Sequence, residues 1–340
     1  MNLRYLLSVT LIPFVFVSAA GAQSGAEHNN IAAEFQSTKS DQPNLSIQSL
    51  LQQFVRNGSN QLFDGTFVYF FEDKVQTVKV HREKNANGDV VEEFVPMDGK
   101  QKKTSRVLDN QYCSLNNDWQ YQFQSTSSSF PFRINNYYQQ LQHHYHFSLS
   151  DIETVAGIPA VGLLIKSKDP YRYGYELWFE PQTATLLKYK LMDQKANVIE
   201  QYLFTDITIN KDSVSTNNIK TPDLSSPCQQ KFQGMIEVFQ QYFTKNKIPA
   251  GYEPVSFRKA YINDSERQAY QFQLSDGLST VSIFIEDSKQ SNKPINGVIK
   301  LGPVNVAGKT LGKHQVTVIG AIPIVSALGF IKAIKKTDLN

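Results

Sequence analysis

The sequence predicts an α+β protein of two domains, the first built on a curved antiparallel sheet. Three observations predict it. Between Ser150 and Ile209, four apolar runs are separated by three short turn clusters, the pattern of a strand meander. From Lys211 to Ser226 the chain is rich in Ser, Thr, Asn and Pro and has no period, which marks a boundary. The length of 340 residues also favours two domains over one.

In chain order, Arg4 followed by the apolar run Tyr5 to Val17 and the small residues Ala20-Gly21-Ala22 reads as a secretory signal peptide over residues 1–22. Residues 23–43 are small and polar and are expected to be a disordered leader. A helix follows, with Ser46 as N-cap and Ile47, Leu50, Leu51, Phe54 and Val55 at helical spacing. Asn57-Gly58-Ser59-Asn60 stops it. Strands are expected over Gly65 to Phe71, Gln76 to Arg82 and Val90 to Val95, with weaker strand signals over Ser105 to Leu108 and Trp119 to Phe123. Ser125 to Ser129 reads as a loop and Ile134 to His144 as a short helix.

The meander then begins. Its first run is Ala160 to Lys166, ended at Lys168-Asp169-Pro170 because proline supplies no N–H to a ladder. From Tyr171 to Glu180 the alternation is strict. Tyr173, Tyr175, Leu177 and Phe179 fall on one face; Arg172, Gly174, Glu176, Trp178 and Glu180 fall on the other. The runs Leu186 to Met192 and Val198 to Ile209 follow. Both faces carry apolar residues, so one meets a core and the other is covered or binds something.

These elements make a first domain over 44–211, a linker over 212–230 and a smaller α+β domain over 231–340. In the second domain Met235 to Phe243 fits a helix as well as a strand. Val255 to Ile262, Ala269 to Leu274, Thr280 to Glu286 and Gln315 to Ile319 read as strands, and Pro323 to Lys335 as a terminal helix. Charge divides unevenly: 44–211 holds 17 basic and 18 acidic residues, a net of −1, whereas 231–340 holds 14 basic and 8 acidic, a net of +6. In an exported protein that points to an acidic protein or a phosphate-bearing lipid rather than nucleic acid.

Catalytic chemistry is not legible. Gly302 to Thr310 has five residues between its glycines where a phosphate loop needs four, and reads as a turn. His143, His144 and His146 lack a converging carboxylate or thiol and read as a polar surface patch. No nucleophile elbow occurs, and neither metal nor cofactor is expected. Cys113 and Cys228 would either form a disulfide or remain two buried thiols.

Several segments resemble the RseB/MucB family of exported regulators of sigma-E. In the first half these are Val155-Ala156-Gly157, Arg172 to Phe179 (RYGYELWF), Leu186-Leu187-Lys188, Glu200-Gln201 and Phe204-Thr205. In the second they are Pro249 to Tyr252 (PAGY), Ser275 to Leu278 (SDGL), Val281 to Phe284 (VSIF) and Gly312 to Gly320 (GKHQVTVIG). The resemblance implies a first domain with the half-open antiparallel β-barrel of the lipoprotein carriers LolA and LolB, enclosing an apolar cavity. Phe67, Tyr69, Phe71, Tyr173, Tyr175, Leu177 and Phe179 are the lining expected for it. It also implies a periplasmic protein whose second domain grips an anti-sigma factor of the RseA/MucA type, with Lys309, Lys313 and His314 as candidate contacts. Lipid or lipoprotein acyl chains would release that partner. A homo-oligomer is left open, and a lipid or lipoprotein carrier without a regulatory partner is the alternative reading.

Overall fold

A computed structural model describes residues 46–335 apart from 59, 89, 99–103, 109–113, 117–119, 123–137, 211–225, 262–267 and 291–293. The expected signal peptide and leader lie outside these residues, as do most of the linker, the loop Ser125 to Ser129, Cys113 and the side chain of Cys228.

The first lobe opens with helix α1, Ile47–Asn57, capped as expected: the Ser46 hydroxyl accepts from the Ser49 N–H at 3.0 Å. Its stripe of Leu50, Leu51 and Phe54 is buried. Strands β1 (Leu62–Phe71), β2 (Lys74–Lys84), β3 (Val90–Pro96) and β4 (Thr104–Leu108) follow. After the short helix α2 (Tyr138–Leu141) come β7 (Tyr145–Val155), β8 (Ile158–Ser167), β9 (Gly174–Phe179), β10 (Leu186–Met192) and β11 (Val198–Asn210), with β5 (Ser114–Asn116) and β6 (Gln120–Gln122) belonging to the other sheet. The nine strands run β4-β3-β2-β1-β11-β10-β9-β8-β7, antiparallel throughout. The sheet does not close on itself, yet it curls enough for its edge strand β7 to approach β11. This is the half-open barrel that the resemblance implied.

Register sets the inner face. Tyr69 pairs with Tyr202, Tyr202 with Tyr189, Tyr189 with Leu177 and Leu177 with Leu163, a row of side chains crossing five strands. Because side chains alternate with period two, every member of that row points to the same core. Helix α1 lies on this face, where the Phe54 and Phe179 rings meet edge to face at 5.2 Å. Asn57 Nδ2 donates to the Thr183 carbonyl at 2.7 Å, strapping the helix end to the β9–β10 turn.

Strand β7 has no counterpart in the sequence expectation. Most of its side chains are exposed, so its apolar signal is weak, and pairing with β8 through a tight turn holds it. At that turn Ala156 and Gly157 both have positive φ (51° and 75°), the geometry that suits a two-residue hairpin. The expected strand from Tyr171 is also shorter: Tyr171 to Tyr173 form a turn, and pairing starts at Gly174.

The second lobe has the order β15-β16-β17-β14-β13-β12-β6-β5. Its strands are β12 (Glu253–Tyr261), β13 (Gln268–Ser275), β14 (Thr280–Asp287), β15 (Gly297–Leu301), β16 (Val304–Leu311) and β17 (His314–Gly320). The hairpin β5 (Ser114–Asn116) and β6 (Gln120–Gln122) joins it through Phe257 opposite Tyr121. Met235 to Phe243, ambiguous in sequence, falls mainly on helix α3, Ser226–Tyr242. The Phe243 ring packs edge-on to Phe272 at 5.1 Å. Helix α4, Ile324–Ala333, lies against β16 and β17, with Phe330 edge-on to Tyr252 at 5.1 Å. The stretch Gly302 to Thr310 turns at Gly302 (φ 60°) and continues as β16, so its amides enter a sheet ladder and cradle nothing.

Candidate functional site

Two features stand out from the packed cores: a charged joint between the lobes and a polar inset in the first lobe's apolar face.

The joint is built on Arg172. Sequence alternation placed it on the strand face opposite Tyr173, Tyr175, Leu177 and Phe179, but the turn Tyr171 to Tyr173 carries it between the lobes, where it is fully buried. Its Nη1 donates to Asp276 Oδ2 at 3.0 Å, and both side chains are inaccessible to solvent. Its Nε donates to Asp169 Oδ1 at 3.1 Å and its Nη2 to the Ala250 carbonyl. The guanidinium also lies over the rings of Tyr145 at 5.5 Å and Tyr252 at 5.4 Å. Asp276 is equally well held. Its Oδ2 accepts from the Tyr145 hydroxyl at 2.7 Å, and its Oδ1 from the N–H groups of Leu278 at 3.0 Å and Ser279 at 2.8 Å. The loop can offer those amides because Gly277 adopts φ 101°.

A buried ion pair needs this degree of satisfaction, since desolvation costs several kcal/mol per ion. Burial works against the Arg172 charge, but Asp276, Tyr145 and Asp169 more than offset it, and its pKa rises. Tyr145 is pushed well above its ordinary value, by burial first and then by Asp276. His144 abuts Gly251, and its pKa is lowered, by burial first and then by Arg172. Three further contacts cross the joint: Asn305 Nδ2 to the Tyr173 hydroxyl at 3.1 Å, Ser326 Oγ to the Tyr171 carbonyl, and Gly302 against the Phe71 ring.

The polar inset is Glu200. It pairs with Phe71 and Leu191 across the sheet and is buried. It accepts from the hydroxyls of Tyr69 and, at 3.0 Å, Tyr189. Burial raises its pKa, and the two tyrosine hydrogen bonds pull it partly back. The sign follows. A carboxyl whose folded-state pKa lies above its unfolded value favours folding below the unfolded value, and that stability is lost as pH rises through the folded pKa. Glu200→Gln is therefore expected to raise the melting temperature at pH 8. The gain should shrink to nothing near pH 4.5, where the unfolded group is itself half protonated. Thermal denaturation across that range checks it, and a gain independent of pH would refute the assignment.

All seven residues expected to line a cavity are buried in the first lobe's core cluster. Phe67 borders the cavity beneath α1, with Phe54, Arg82, Glu92, Phe94 and Tyr202; the other six do not. That cavity measures about 30 Å³, space for a water molecule and not for an acyl chain. Arg82 and Glu92 form a buried pair at 2.7 Å on its wall, and Arg82 Nη1 donates to the Gly58 carbonyl at 2.8 Å, closing the helix end onto the sheet. Lys309 and Lys313 are exposed and His314 is half-buried. They sit toward the far end of the β16–β17 hairpin from Asn305 and so apart from the joint. Among the described residues no His, Cys, Asp and Glu group could hold a metal, and no helix is long and apolar enough to cross a membrane. Sequence reading missed the joint, although both of its charged partners lie within segments quoted for the resemblance.

Residues 46–226 match the family described as "MucB/RseB N-terminal domain", and 238–335 match "MucB/RseB C-terminal domain". The sigma factor AlgU regulatory protein MucB of Pseudomonas aeruginosa is 26% identical over 289 residues, 78% of this chain and 83% of that protein. The sigma-E factor regulatory protein RseB of Salmonella typhimurium is 20% identical over 296 residues, 84% of this chain and 90% of that one. RseB of Escherichia coli is 21% identical over 213 residues, 61% and 64% of the two chains. Among solved structures, MucB in complex with MucA(peri) superposes with a TM-score of 0.61 at 20% identity, covering 85% of this chain and 98% of that one. The Pseudomonas aeruginosa MucA/MucB complex gives 0.59 at 21% identity over the same shares. Matched through both lobes, the chain belongs to the MucB/RseB family.

Proposed function

We propose that this protein is a periplasmic negative regulator of a sigma-E-type envelope-stress response and not an enzyme. It binds the exported part of a MucA/RseA-type membrane anti-sigma factor and shields it from regulated proteolysis. The observation that carries the reading is the family match in both lobes, joined to relatives named as sigma factor regulatory proteins. A carrier of lipid alone would leave the basic second lobe without a role.

The release signal in this reading is a lipid or lipoprotein acyl chain entering the first lobe, over 44–211, while the second, over 231–340, holds the partner. The inner-face side chains are buried, so entry requires them to be uncovered. Burying methylenes contributes about 0.8 kcal/mol each, so a chain of about a dozen carbons could offset such a rearrangement. Coupling then requires that lipid and partner favour different arrangements of the joint, and it must be reciprocal. The test is titration of the purified exported anti-sigma fragment into this protein, with and without saturating lipid. Binding that lipid weakens is the expected result. Absence of binding sinks the regulator reading, and binding indifferent to lipid sinks the release mechanism alone.

A further inference from the structure

Glu92 and Glu200 are both buried on the first lobe's inner face, but they are compensated differently. Glu92 has Arg82 at 2.7 Å. Glu200 has tyrosines: its Oε2 accepts from the Tyr69 hydroxyl and its Oε1 from the Tyr189 hydroxyl at 3.0 Å, with no cation bonded to it among the described residues. Phe71 lies directly opposite Glu200 on β1 and Leu191 on β10, with Tyr175 next in line on β9. The Tyr69 and Phe71 rings are 5.4 Å apart and those of Tyr175 and Tyr189 6.2 Å. Four aromatic rings therefore border one carboxyl. The arrangement is not sealed, since Glu200, Tyr69 and Phe71 keep 8%, 8% and 7% of their surface. A carboxylate offers about four acceptor positions, of which the two hydroxyls occupy two. At the rim the chain's own Lys74 ammonium rests over the Phe71 ring, 5.3 Å from its centre.

We infer that Glu200 and its ring of aromatic side chains form a recognition site for a primary ammonium carried on an alkyl chain. The inference rests on the reading that an apolar chain enters the first lobe, and it adds the chemistry of that ligand's head. A buried carboxylate without a cation is costly, and an ammonium held against it removes that cost. The ring faces attract the same charge. A divalent metal would need several oxygen ligands, which aromatic rings do not supply, and an anionic head would be repelled. The row Tyr202, Tyr189, Leu177 and Leu163 runs beside the carboxyl and suits the alkyl part once uncovered. Phe71 is also the ring against which Gly302 of the second lobe rests, so the rim faces the joint. Without ligand the carboxyl lowers its cost by holding a proton, as burial favours. The titratable groups facing it are Tyr69, Tyr175 and Tyr189, all kept neutral, by burial first. Binding therefore exchanges a proton for an ammonium.

The test titrates octylammonium, octanol and octanoate into the full mature chain and into Glu200→Gln, with calorimetry as the readout. Circular dichroism confirms that the variant keeps its fold. The parent should bind octylammonium about tenfold or more tighter than octanol, and octanoate more weakly than either. Glu200→Gln should lose that preference while binding octanol within about twofold of the parent. A third readout uses the parent alone and so does not depend on the variant folding. From about pH 5 to about pH 8 its affinity for octylammonium should rise and that for octanol stay level, because the amine, like lysine with a pKa of about 10.4, remains charged throughout. Equal binding of octylammonium and octanol overturns the site, as does a preference that survives in Glu200→Gln or an octylammonium affinity indifferent to pH. In those cases octanol binding still supports entry of an apolar chain. If neither compound binds, that reading falls, and this inference with it.

Discussion

Asp276→Ala is expected to destabilise the docked lobes by about 3–5 kcal/mol, because it removes the fully buried partner of the Arg172 charge. Arg172 keeps Asp169, which is partly exposed, and the Ala250 carbonyl, but loses the partner that is as deeply buried as itself. Tyr145 loses its acceptor in the same step, and the N–H groups of Leu278 and Ser279 lose the carboxylate that accepts from them and shapes the turn. The visible result should be two melting transitions in place of one and a larger radius of gyration by small-angle scattering. Replacing both charges with apolar residues, Arg172→Met with Asp276→Leu, should recover part of the loss, since an apolar pair carries no desolvation cost. A single variant with the parent's melting profile and dimensions would show that other contacts hold the lobes.

Leu177→Asp is expected to prevent the first lobe from folding. Leu177 is fully buried at the centre of the row from Tyr69 to Leu163, flanked by Tyr189 and Leu163 on the neighbouring strands. Truncation to alanine there would already cost about 2–5 kcal/mol. A carboxylate adds a desolvation penalty of several kcal/mol, since its strand neighbours Tyr189 and Leu163 offer no cation, and the total rivals the about 5–15 kcal/mol stability of a typical domain. Leu177→Met, which conserves volume, should cost under about 1.5 kcal/mol. Circular dichroism and chemical denaturation decide between these outcomes. A cooperatively folded Leu177→Asp protein would mean that the position is solvated and that the face is a true hollow.

Much of the fold was legible. Helix α1 was announced by a capping serine and five apolar residues at helical spacing. Strands β8, β10 and β11 were announced by short apolar runs between turns. What escaped had weak or conflicting local signals. Strand β7 is an edge with polar side chains, so its pairing with β8 and not its own composition makes it a strand. Strands β15 and β16 share a stretch rich in glycine, whose turn at Gly302 hides the pairing on either side. The hairpin β5–β6 joins the second lobe's sheet although it is encoded well before the linker, and no local pattern reports such a crossing.

The candidate site was less legible, for a physical reason. Alternation assigns a residue to a face, and it correctly grouped Tyr175, Leu177 and Phe179. It cannot say whether that face is filled or empty, which depends on side chains arriving from α1 and from four other strands. Nor could spacing place Arg172 beside Asp276, 104 residues away. By itself the sequence determined the two-lobe α+β plan, the alternation of the meander, the charge of the second lobe and the family. Tertiary structure alone decided that the inward-face residues are buried together and that the lobes meet through a buried ion pair. Periodicity is a property of neighbours along the chain, whereas burial and charge compensation belong to neighbours in space.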